Sequence, residues 1–159
     1  MYIVKEKLWW FIVKFVLISL PLFALWVWKA ETWYLAFLGG SLRFVVIDLA
    51  GLKPACFPAP KPILLNLIPF VSLMVISTGM RTKLKVIRTA EGILILFIWH
   101  MVLTELVYLL LDCQATTPAY EKLSVPLYLV SGTIPFILWM LFAPKQVASL
   151  FSGDKKRTK

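Results

Sequence analysis

The stretch from Pro62 to Leu111 narrows what this chain can fold into more than any other: an apolar run, a basic turn and a second apolar run. The first run, PILLNLIPFVSLMVISTGM, approaches the roughly 20 residues needed to cross a hydrocarbon core. The turn RTKLKVIRTA carries Arg81, Lys83, Lys85 and Arg88 and no acid, a pattern that predicts a cytoplasmic position and contact with anionic lipid. The returning run, EGILILFIWHMVLTELVYLLL, contains His100 and Glu105, which are expensive in hydrocarbon and therefore informative. A hairpin of two spans, about 62–80 and 91–111, is the expectation.

Composition extends this reading to the whole chain. Hydrophobic residues make up 60% and charged residues 16% of the 159, against roughly 45–50% and 25% in soluble domains. The expected fold class is all-α, a polytopic integral membrane protein. The net charge of +9 raises the question of nucleic acid, but the basic residues are interleaved with apolar runs, so lipid headgroups are the expected counter-charge and no nucleic acid is expected.

Two further spans are predicted, at about 8–28 and 124–143, the first with Trp9 and Trp10 at one end and Trp26 and Trp28 at the other as interfacial anchors. Its apolar run is too long for a signal peptide, so it is expected to be a retained helix. Residues 33–51 are apolar but hold Gly39, Gly40, Arg43 and Asp48, and Glu31 or Thr32 is the expected cap that opens them. With this segment as an interfacial or re-entrant helix, twelve of the seventeen basic residues fall on or near the cytoplasmic side, counting Lys5, Lys7, Lys14, the four of the turn, Lys145, Lys155, Lys156, Arg157 and Lys159. Four spans with both termini cytoplasmic are therefore expected; five spans are the alternative. Residues 144–159 are expected to form a basic, flexible tail.

Polar residues inside the spans are the candidate site. His100, Thr104 and Glu105 lie on one span, with Asn66, Ser72, Ser77 and Thr78 on the preceding one as hydrogen-bond partners. A protonatable pair at membrane depth suits a proton relay or acid–base chemistry, whereas hydrogen bonding between helices, with Glu105 protonated or paired to Arg43, is the structural reading favoured here. Cys56 and Cys113 both fall in loops expected outside, where a disulfide between them is one reading. No metal-ligand spacing is present and no cofactor is expected.

Several stretches together resemble the small membrane proteins associated with exosortases: the opening helix ending PLFALWVW followed by Trp33 and Tyr34, then NLIPFVSLMVISTGMRTKLKVI, GILILFIWHMVL with its central histidine, and IPFILWML. Exosortases themselves are larger membrane cysteine transpeptidases with a Cys-Ser-Gly type nucleophile motif; here Cys56 sits in ACFPAP without the Ser-Gly. The resemblance thus implies a non-catalytic accessory or scaffolding subunit in a bacterial inner membrane, alongside a larger membrane protein partner, with no catalytic residues of its own. A minimal transpeptidase using Cys56 with His100, and a proton- or ion-conducting subunit using His100 and Glu105, are the alternatives.

Overall fold

The computed structural model describes residues 8–49, 51, 66–111 and 118–151. Among them the chain is helical, with no strand. The first helical stretch comprises α1 (Leu8–Leu25), a π-helical segment π1 (Trp26–Ala30), α2 (Glu31–Arg43) and a second π segment, π2 (Phe44–Leu49). The residues at the joints remain helical: Leu25 at φ −63° and ψ −39°, Ala30 at φ −65° and ψ −33°, Phe44 at φ −60° and ψ −48°. The expected cap at Glu31 or Thr32 is therefore corrected. No side chain caps there, and the Glu31 N–H reaches back to the Trp26 carbonyl, the i→i+5 bond of a π turn. The physical reason lies in WVWKAETWYL, which holds polar residues but neither Gly nor Pro to break a helix. Residues 33–49 continue the first helix, giving one run of 42 residues.

Among the described residues, the helix of the second apolar stretch ends before the expected 80. Helix α3 covers Leu67–Ile76, and residues 62–65 lie outside the described residues. Ten residues rise about 15 Å, half of a hydrocarbon core. Leu67, Ile68, Phe70, Ser72, Leu73, Met74 and Ile76 are all buried, because α3 packs against α1, α4 and α5 together. It ends where Ser77 turns extended at ψ 126° and Gly79 takes φ +79°, a left-handed conformation that favours glycine.

Helix α4 (Thr82–Leu111) then begins nine residues before the expected 91. The basic residues Lys83, Lys85 and Arg88 sit on its first turns, and the reversal itself is Ser77–Arg81. Gly79 is the breaker, and nothing from Thr82 onward stops a helix. Lys85 donates from Nζ to the Val75 carbonyl at 3.0 Å, which covers an open acceptor at the C-terminus of α3. Arg88 pairs with Glu91 at 2.8 Å and lies over the Phe142 ring.

Helix α5 (Pro118–Phe142) accommodates Pro126 and Pro135. A short α6 (Pro144–Phe151) occupies the start of the segment expected to be a flexible tail; Pro144 sits at the first helical position, where its missing N–H costs nothing. Lys155, Lys156 and Arg157 lie outside the described residues, as do Cys56 and Cys113.

Pairwise contacts give the directions. Phe11 meets Trp139 and Ser19 bonds Ser72, so α1 runs against α3 and α5. Val75 meets Lys85 while Asn66 meets His100, so α3 and α4 form an antiparallel hairpin. Asn66 bonds Ser131 and Ser77 bonds Trp139, so α3 and α5 are parallel. Three of these helical stretches, 8–49, 82–105 and 125–142, are long and apolar enough to cross a membrane. Lys14, Arg81, Lys83, Lys85, Arg88 and Lys145 collect at one end of the bundle.

Candidate functional site

The site is assembled where α3 begins. Asn66 stands immediately before the first turn of α3, and its side chain is buried among α4 and α5. Its Nδ2 donates to the Ser131 carbonyl at 3.2 Å and to Ser131 Oγ at 3.0 Å. A carbonyl can only accept, so the amide is oriented with Oδ1 toward His100, 2.8 Å from Nε2. That places the imidazole proton on Nε2. Nδ1 is then the acceptor for the Tyr34 hydroxyl, which lies 2.5 Å away. The result is a directional chain: Tyr34 O–H to His100, His100 N–H to Asn66, Asn66 N–H to Ser131. Trp99 Nε1 donates to the same Ser131 Oγ at 3.3 Å.

His100 is wholly buried, and aromatic rings shield its surroundings. Tyr34 meets His100 and Phe97 edge-on, with centroids 5.7 and 6.1 Å apart, and Trp26 lies 5.5 Å on its other side. Removed from water, each link in such a chain is stronger than on a surface, and each unmade link is more costly. Among the described residues no buried side-chain nitrogen or oxygen lacks a partner.

The structure brings together some of the residues singled out by sequence and separates others. Asn66 and His100 meet directly. Thr104 bonds the His100 carbonyl at 2.8 Å, a bond within its own helix, and does not extend the chain. Glu105 is partly exposed and shares no hydrogen bond or ion pair with His100 or Arg43 among the described residues. Ser72 bonds Ser19, Ser77 accepts from Trp139 Nε1 at 2.8 Å, and Thr78 donates from both N and Oγ1 to Gln146 Oε1 at 2.9 and 2.6 Å. Those three hold the other end of α3, away from His100. Sequence reasoning missed Tyr34, Ser131 and Trp99 as members of the chain. A tyrosine inside an apolar run was the available signal, since its hydroxyl needs a partner when buried.

The arrangement resembles a hydroxyl beside an oriented base, the geometry that activates a nucleophile. Both ring nitrogens of His100 are, however, occupied by Tyr34 and Asn66, which leaves neither aimed at an open space. Among the described residues no group of three His, Cys, Asp or Glu could hold a metal. An apolar groove of about 300 Å³, lined by Phe15, Val16, Ser19, Leu20, Phe23, Ile68 and Pro69, follows the seam between α1 and α3 and contains none of the hydrogen-bonded chain. No family model, curated protein or solved structure matches the chain.

Proposed function

We propose that this chain is a non-catalytic accessory or scaffolding subunit of a larger complex in the bacterial inner membrane, one linked to exosortase-type protein sorting. The observation that carries the reading is the His100 chain, in which Tyr34, His100, Asn66 and Ser131 bond one another across four helical segments, as suits residues that hold those segments in register. The sequence resemblance supports the sorting context, and a four-span arrangement with cytoplasmic termini agrees with the basic end formed by Lys14, Arg81, Lys83, Lys85, Arg88 and Lys145. Anionic lipid headgroups would face that end.

Purification in mild detergent at native expression tests the proposal. A stoichiometric membrane partner is the expected outcome; a monomer that recovers no partner sinks it. A second reading, proton transfer, draws on the same directional chain, but the chain does not include Glu105. Under that reading Tyr34→Phe abolishes function while assembly persists, whereas an accessory subunit retains both.

A further inference from the structure

The first helical run buries two groups of side chains that would not share one face of an ordinary α-helix. Before π1 the core takes Phe11, Phe15, Ile18 and Leu22; after it, Tyr34, Leu38 and Leu42. At 3.6 residues per turn the first four lie within about 60° of one another and the last three within about 80°. Carried through an uninterrupted α-helix, however, the centres of the two groups would stand about 170° apart. One group could then meet the other helices only by turning its counterpart outward.

The chain does not break to resolve this. Leu25, Ala30 and Phe44 all keep helical dihedrals, so the rotation of α1 is passed on to α2. What intervenes is π1, five residues closed by the bond from the Glu31 N–H to the Trp26 carbonyl, a turn holding one residue more than an α-helical turn. That additional residue sets everything after it back by about 100°, and the separation of the two groups falls to about 70°. A buried helical stripe is roughly 100° wide or more, so both groups now fit within one. Trp26 stays buried while Val27, Trp28 and Lys29 are exposed, so the widened turn carries its additional residue on the outer side. The second π segment begins beyond Leu42 and takes no part.

We infer that π1 is a one-residue insertion that acts as a register device: it turns α2 so that Tyr34 meets His100 while Phe11 to Leu22 stay packed on the core. The chain can therefore lose one residue from π1 but not one from α2. Deleting Val27 or Trp28 closes the turn to α-helical bonding and leaves Tyr34, Leu38 and Leu42 in place. Deleting Ala36, which is also exposed and helical, gives a chain of the same length with no such solution. If π1 closes in that chain, residues 31–35 turn by about 100° and Tyr34 leaves His100; if π1 persists, Leu38 and Leu42 turn away from the core. The inference depends on neither the membrane reading nor the accessory role.

His100 is the only histidine of the chain, so isotopic labelling of histidine nitrogen gives one pair of ring signals by NMR of the full-length protein in detergent. Tyr34→Phe supplies the Nδ1 position in the absence of the hydroxyl. Deletion of Val27 and deletion of Trp28 are each expected to keep the wild-type signals, with a heat-denaturation midpoint within about 3 °C of wild type. Deletion of Ala36 is expected either to move Nδ1 to the Tyr34→Phe position or to lower the midpoint by about 10 °C or more, as two buried leucines leave the core. The inference is overturned if neither deletion within π1 keeps the bond between Tyr34 and His100. It is equally overturned if loss of Ala36 is borne as well as loss of Val27 or Trp28.

Discussion

Gly92 of α4 lies directly beneath the ring of Phe70 of α3, so closely that a Cβ at position 92 would overlap the ring. Phe70 is wholly buried and also meets Phe142 edge-on at 6.4 Å, so it has little room to retreat. The hairpin between α3 and α4 closes on this contact.

Gly92→Ala is therefore expected to destabilise the protein by about 1–3 kcal/mol, the usual cost of overpacking, even though alanine is the better helix former. Phe70→Leu in the same chain should recover part of the loss. Unfolding in detergent by heat or denaturant measures both, and a stabilised Gly92→Ala would contradict the contact.

Substitutions along the His100 chain should be unequal. Asn66→Ala leaves both the His100 N–H and the Ser131 carbonyl without their partner, whereas Tyr34→Phe leaves only a ring lone pair. With about 1–3 kcal/mol for each buried unsatisfied group, and the lower part of that range common between membrane helices, Asn66→Ala is expected to cost about twice as much as Tyr34→Phe. Denaturant titration of the three proteins orders them. Equal effects would mean that Ser131 takes no part.

Gln146 fastens the reversal between α3 and α4 to α6 through two hydrogen bonds from Thr78. Gln146→Leu should loosen residues 77–81 while leaving the His100 end of α3 intact. Hydrogen exchange at those amides is expected to rise roughly tenfold for about 1.4 kcal/mol of lost protection. A uniform rise along α3 would show instead that α6 supports the whole bundle.

Helical class, apolar character and the clustering of basic residues near the α3–α4 reversal were legible in the residues alone, because hydropathy and charge accumulate along the chain without regard to neighbours. The same local signals misplaced element ends. Polar residues at 29–32 suggested a break, but a helix ends only where the backbone is forced to leave it, and Gly79 does this whereas Lys29 and Glu31 do not. Packing decided the rest. Tyr34 and His100 are 66 positions apart, and Asn66 and Ser131 are 65 apart. No local pattern encodes which buried hydroxyl will face which ring nitrogen. That follows from the register in which α2, α4 and α5 enclose the short helix α3, and the register is set by contacts such as Phe70 on Gly92 that exist only once the helices have come together.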